Sequence, residues 1–254
     1  MSPAPPANAA DDRVLRLLWR HHLPAVGRRG PRPKHSVDDV VTAAIALADH
    51  GGLDGLSVRS VAQELGISTM SVYTHVPGKE ELLLLMLDAL YAELPRPPYR
   101  SPGWRSRVVE VAERNRQLLR DHPWATELAV LSRPSLGPGQ TAKYEHELAA
   151  LAGSGLADVQ VDAALSLVLG FVQQQVRSEH DLRRAAAASG VSDQEWWAAN
   201  GPLLAELVDP DDYPLAARIG TAAGEALGSA YAPDAAWEFG LARILDGLAA
   251  LIDR

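Results

Sequence analysis

The 24 residues 56–79, LSVRSVAQELGISTMSVYTHVPGK, constrain this chain more than any other stretch. They read as two short helices joined by a tight turn, followed by the start of a third. Ser57 can cap the first helix, whose apolar face is Val58, Val61, Ala62 and Leu65. Gly66 can take the left-handed conformation that ends it. Ser68 caps the second helix, which buries Val72 and Val76 at i, i+4 spacing. Pro77-Gly78 stops that helix. What remains on it is Thr69, Met70, Ser71, Tyr73, Thr74 and His75, short hydrogen-bonding or flat groups suited to the major groove of DNA.

A net charge of −8 argues against a nucleic-acid partner until its distribution is considered. Residues 13–34 carry seven basic residues (Arg13, Arg16, Arg20, Arg28, Arg29, Arg32, Lys34) and no acid, whereas residues 95–254 hold 15 Lys/Arg against 21 Asp/Glu. A basic front on an acidic body orients a protein on a polyanion, because the local field governs encounter. The segment Arg28-Arg29-Gly30-Pro31-Arg32-Pro33-Lys34 is kept extended by Gly and Pro, and an extended arginine arm can enter a narrow minor groove.

Helix signals dominate the rest. A short amphipathic helix is expected over residues 11–20 and another from the capping-box-like Ser36-Val37-Asp38-Asp39 to Gly51-Gly52, with Val37, Val40, Ala44, Ile45 and Ala48 on one face. Pro95, Pro97, Pro98 and Pro102 mark a loop. Further helices are expected at about 103–121, 124–131, 140–152, 156–180, 192–208, 214–228 and 233–252, punctuated by prolines that include Pro202. The Ala-rich residues 184–190 read as a loose helix end or a loop. The fold class is all-α: an N-terminal short helix and basic arm (1–33), a three-helix helix-turn-helix domain (34–79), and a helical ligand-binding and dimerisation domain (80–254) entered by a linking helix over about 78–94.

Two helices are apolar on more than one face. In the last, Leu241, Leu245, Leu248 and Ile252 form one face and Gly240, Ile244, Gly247 and Leu251 another; residues 156–180 show the same excess in Val161, Leu165, Val168, Leu169, Val172 and Val176. A helix apolar all round is covered on all sides, either by a partner subunit or by the chain's own core. No Gly-x-Ser-x-Gly, Gly-x-Gly-x-x-Gly, P-loop or His-Glu-x-x-His pattern is present, which argues against an enzyme. His146 and His180 sit in polar runs whose neighbours point different ways on a helix, so both read as surface positions and no metal is expected. There are no cysteines, no basic-plus-apolar leader at the N-terminus and no run near the ~18–20 apolar residues that span a bilayer, so a cytoplasmic, non-membrane protein is expected.

Within one DNA half-site, residue chemistry suggests roles. Ser57 and its helix start suit a phosphate. Arg59, one turn in, suits a bidentate bond to guanine, worth roughly 1–3 kcal/mol of discrimination. Thr69 and Met70 begin the recognition helix, Met70 facing a thymine methyl. Ser71 and Thr74 suit phosphate or base, and Lys79 a phosphate.

The run 56–65, then Gly66-Ile67, then Ser71-Val72-Tyr73-Thr74-His75-Val76, then Lys79-Glu80-Glu81-Leu82, resembles the DNA-binding domain of the TetR/AcrR family of bacterial repressors. His75-Val76 and Gly78-Lys79 are most similar to its tetracycline-repressor branch. The resemblance is specific over residues 34–94 and weaker beyond. It implies that Tyr73 and His75 clamp the sugar-phosphate backbone. It also implies a homodimer built on the helices carrying Val161, Leu165, Val168 and Val172 and Gly240, Ile244, Gly247 and Leu251. Such a dimer binds a palindromic operator on double-stranded DNA and is released by a small-molecule effector, with no cofactor. Candidate pocket walls are Leu90, Trp124, Leu128, Phe171, Trp196 and Trp197; candidate anchors are Asn115, Gln174 and Ser178, since Gln173-Gln174-Gln175 is odd in an apolar helix. No motif matches the tetracycline repressor's drug-and-magnesium site, so neither ligand is carried over. An activator, a regulator without an effector, or a helical small-molecule-binding or interaction module are the alternatives.

Overall fold

The computed structural model describes residues 9–24, 34–129 and 134–253. Among these, twelve α-helices and no strand occur. By packing, the chain divides into two compact units, Met1–Leu167 and Val168–Arg254. No helix among the described residues is long and apolar enough to cross a membrane.

In the first unit, α1 (Ala9–Leu18) precedes α2 (Val37–Gly51), α3 (Val58–Glu64) and α4 (Thr69–His75), which pack against one another. A capping box starts α2: Ser36 Oγ accepts from the Asp39 N–H (3.1 Å) and Asp39 Oδ2 accepts from the Ser36 N–H (2.7 Å). The helix buries Val40, Val41, Ala43, Ala44 and Ala48, so the core stripe includes Val41 and leaves Val37 and Ile45 half-buried at its edges. Gly52, at φ +68°, ends it. Ser57 and Ser60 form a second capping box at α3. Gly66, at φ +64°, turns the chain in the left-handed conformation that glycine adopts without a Cβ clash. Ile67 N–H then reaches back to the Ala62 carbonyl (3.0 Å). Leu56, Val61, Ala62, Val72 and Val76 close this small core.

The linking helix α5 (Lys79–Glu93) packs on α2, on α7 (Ala125–Leu128) and most extensively on α8 (Pro138–Ala149). It buries Leu82, Leu85, Met86, Leu87, Leu90 and Tyr91, and also Asp88. Asp88 Oδ1 accepts from the Gln140 N–H (2.8 Å) and Oδ2 from the Gly139 N–H (3.2 Å), so a carboxylate on α5 caps the start of α8. Burial pushes the Asp88 carboxyl above its ordinary value, against the pull of the Gln140 and Gly139 amides. Helix α6 (Trp104–Asp121) leads into the corner before α7.

The second unit begins inside α9 (Asp158–Ser189) and adds α10 (Asp193–Leu207), α11 (Pro214–Leu227) and α12 (Pro233–Ile252). Residues 184–189 continue α9 as helix, and Gly190 (φ +70°) follows its last turn; alanine is the best helix former, so no break comes earlier. Pro202 lies inside α10 rather than ending it. Gly201 before it has no Cβ to clash with the proline ring, which removes one of the clashes a proline inside a helix causes.

Candidate nucleic-acid interface

Helix α4 turns Val72 and Val76 inward at 0% and 1% exposure and presents the rest of its surface outward. Met70 is 71% exposed and Tyr73 43%; Thr69 and Thr74 are exposed, and Ser71 and His75 half-buried. An exposed methionine and tyrosine on a seven-residue helix bring no packing gain to this chain, and both side chains are open to a partner. Arg59, in the first turn of α3, is exposed as well. The structure therefore gathers Arg59, Thr69, Met70, Ser71, Tyr73 and Thr74 on the helix-turn-helix.

Several of these groups also have internal duties. Ser57 Oγ accepts from the Ser60 N–H (3.0 Å) while its own N–H donates to Ser60 Oγ (2.9 Å), so Ser57 holds the start of α3. Ser68 Oγ accepts from the Ser71 N–H (3.1 Å). The Thr74 hydroxyl donates to the Ser71 carbonyl (2.6 Å), which leaves its lone pairs but not its proton for a partner. Lys79 Nζ donates to the Leu53 carbonyl (3.1 Å), tying the start of α5 to the α2–α3 loop. Arg28 and Arg29 lie outside the described residues.

The interface is anchored to the body by contacts that join residues far apart in the chain. Asp49, near the end of α2, accepts from Trp124 Nε1 (2.7 Å) and contacts His122 Nδ1 (2.7 Å), both at the α6–α7 corner. Trp124 is buried with its indole N–H held by Asp49, so it joins α2 to the α6–α7 corner. Arg20 bonds Asp38 at the start of α2, and Trp19 Nε1 donates to the Leu136 carbonyl (2.9 Å), which fixes the segment after α1. The burial cost on the Asp38 carboxyl is outweighed by its hydrogen bonds to Arg20 and His21, which hold it below the ordinary value.

The other pocket candidates are scattered. Leu90 is core of α5, and Leu128 is half-buried in α7. Asn115 is buried in a polar cluster: its Nδ2 donates to Glu147 Oε1 (2.6 Å) and to the Val111 carbonyl (2.9 Å). Glu147 Oε2 takes the Lys143 ammonium (2.7 Å), which sits 5.0 Å from the centre of the Tyr91 ring. The adjoining recess, bordered by Arg96, Arg114, Asn115 and His146, has a volume of about 10 Å³, room for about one water. His146 is not a plain surface residue: it stacks on Tyr99 at 4.6 Å and meets Arg114 Nη1 at 2.9 Å. In the second unit Phe171 stacks on Trp237 (5.4 Å). Gln174 and Ser178 bond one another on an open part of α9, and Gln175 accepts from the Tyr231 hydroxyl (2.8 Å), so the glutamine run finds partners within the chain. Trp196 is 50% exposed, and Trp197 lines a cleft between α10 and α11.

The dimer candidates divide too. Leu165, Val168 and Val172 are buried within the single chain and Val161 is half-buried, so these are core positions. A Cβ on Gly240 would strike the Phe171 ring; its missing side chain accommodates the chain's own α9. Ile244 is half-buried. Gly247 and Leu251 are exposed, with Phe239 also exposed on α12, and on α9 the exposed large apolar residues are Val159 and Leu167.

Known proteins share this architecture. Residues 40–86 match the family model of bacterial regulatory proteins of the tetR family, and residues 96–252 match the tetracyclin repressor-like C-terminal domain. The HTH-type transcriptional repressor DrrR1 of Streptomyces coeruleorubidus is 38% identical over 245 residues, spanning 94% of this chain and 86% of that protein. The class A tetracycline repressor from transposon 1721 of Escherichia coli is 30% identical over 215 residues, 83% of this chain and 88% of the repressor. The Streptomyces coelicolor TetR family protein ActR, solved in complex with actinorhodin, is 25% identical with a TM-score of 0.71, over 87% of this chain and 100% of that one. In complex with (S)-DNPA it gives a TM-score of 0.70 at 25% identity, over 86% and 99%. These relatives are regulators, not enzymes, and the chain belongs to the TetR family of transcriptional repressors, with a DNA-binding N-terminal domain and a ligand-binding C-terminal one.

Proposed function

We propose that this protein is a cytoplasmic, homodimeric repressor that binds a palindromic operator through α4 and leaves it when a small-molecule effector binds the body. The observation that carries the DNA-reading part is the face of α4, where Met70 and Tyr73 stand in solvent over a core closed by Val72 and Val76. Residues 34–79 act as the reading head, residues 80–254 as the effector-binding and dimerisation body, and residues 1–33 as a helix and basic arm. This functional division falls at the start of α5, not at the packing boundary within α9.

On the operator, Thr69, Met70, Ser71 and Thr74 meet base edges and phosphates. Tyr73, His75 and Lys79 hold the sugar-phosphate backbone, and Ser57 and Ser68 place the two helix starts. Arg59 reads a guanine, and Arg28 and Arg29 follow the minor groove. Two heads about 34–36 Å apart read half-sites one helical turn apart, which requires a dimer. The exposed apolar residues of α12, Phe239 and Leu251 with Gly247, support that second copy. Release requires the effector to bind the non-operator conformation more tightly. Solved ActR complexes with small molecules support an effector of that kind. Helix α5 and the Asp49–Trp124 bond are the routes by which the body can move the head.

DNase footprinting on the DNA flanking the protein's own gene, followed by selection from random DNA if nothing is protected, tests this. The control is a Met70→Ala/Tyr73→Ala variant, chosen because both side chains are exposed, so truncating them leaves the core intact. A protected palindrome that the variant loses is expected. Equal protection by the variant would remove α4 from the interface.

A further inference from the structure

Helices α10 and α11 bury none of their residues in this chain, yet they enclose an open cleft of about 440 Å³. That volume is within the range of roughly 300–1,000 Å³ typical of small-molecule sites. The wall is apolar, with Trp197, Leu204 and Val208 from the α10 side, and Glu225 is the one ionisable residue lining it.

Two glycines on α11, one turn apart, shape the space. A Cβ on Gly224 would sit 2.7 Å from Trp197 Cζ2, so this glycine lets the indole lie against the helix backbone. Gly220 has no such packing duty: nothing stands within 4 Å of where its Cβ would be. A mid-helix glycine is less stable than alanine, so Gly220 weakens α11, while nothing stands where its side chain would be. What it leaves is room in the cleft beside the indole.

We infer that the α10–α11 cleft is a binding site for a flat, apolar, cationic small molecule, stacked on Trp197 and countered by Glu225. The indole face attracts a cation through its quadrupole, and the carboxylate adds direct attraction, whereas an anion meets only repulsion. The site gives the effector reading above a ligand class and rests on that reading for its consequence at the operator, but its occupancy can be measured without DNA.

The experiment uses the full chain, free of DNA, and fluorescence anisotropy with two dyes of similar aromatic frame: cationic rhodamine 6G and anionic fluorescein. Saturable binding of rhodamine 6G is expected, weakened about three- to fivefold or more by Glu225→Gln. Fluorescein should bind weakly and gain rather than lose on that substitution. Gly220→Phe, which fills the open space, should abolish rhodamine binding; Ala217→Leu serves the same purpose if Gly220→Phe melts early by circular dichroism. Wild-type-like rhodamine affinity in Glu225→Gln and in the folded cleft-filling variant would overturn the proposal. So would no rhodamine binding by the wild type, the result expected if a second copy fills the cleft. Either failure leaves the operator footprint standing, and loss of the footprint with dye binding intact would sink the repressor reading alone.

Discussion

His146 meets the guanidinium of Arg114 through Nε2 while its ring stacks on Tyr99. Arginine can only donate, so Nε2 is the acceptor and the imidazole is neutral with its proton on Nδ1. Burial, and then the Arg114 charge, hold the histidine below its ordinary value of 6.5. Between that lowered value and 6.5 the unfolded chain binds more protons than the folded one. Stability from this residue is therefore present above 6.5 and lost as pH falls through the window. Urea midpoints measured from about pH 7.5 down to about pH 5 should fall less steeply for His146→Gln than for the wild type. Parallel profiles would mean that His146 is free to protonate. None of this was legible in the run Tyr144-Glu145-His146-Glu147, because the partners Arg114 and Tyr99 lie 32 and 47 residues away. The same distance hides Asp49 with Trp124 and Asp88 with Gly139, whereas Ser36, Ser57 and Ser68 were readable as caps because their partners lie three residues on.

Within the first unit helix α5 packs on α1, α2, α7 and α8, and its contact with α8 depends on two glycines. A Cβ on Gly137 would overlap the Asp88 carboxylate; one on Gly139 would overlap the Asp88 carbonyl and lie 2.8 Å from the Ala92 nitrogen. The α8 start is thus pressed against the α5 backbone with no room to yield. Gly139→Ala should destabilise by about 1–3 kcal/mol or more, as overpacking of a rigid contact does. Gly220→Ala, in open space on α11, should stabilise by about 0.5–1 kcal/mol. Chemical denaturation of both decides it, and equal small effects would contradict the close approach. Periodicity and punctuation located α6, α10, α11 and α12 to within a residue or two, since local spacing alone defines them. Which apolar face meets which neighbour was not local. Leu165, Val168 and Val172 form core within the chain, and the large apolar residues that α9 and α12 leave in solvent are instead Val159, Leu167, Phe239 and Leu251.

At the scale of the whole molecule, an acidic protein that binds DNA must separate its charges. Its seven basic residues without an acid over 13–34, ahead of the helix-turn-helix, do so. Family membership was legible because the helix-turn-helix combines caps, a left-handed glycine and a two-valine core in one short segment. The residues of a ligand pocket were not, because a pocket needs only volume and a few polar groups, which residues far apart in sequence can supply. The central claim is that a symmetric pair of α4 helices reads DNA. Selection of bound sequences from a random duplex library by the full chain, at near-physiological salt, tests it most directly. Enriched sequences should share two inverted half-sites centred about 10 base pairs apart, or a multiple of that, with the enrichment lost in Met70→Ala/Tyr73→Ala. Enrichment of a single, unsymmetrical site, or none at all, would contradict it.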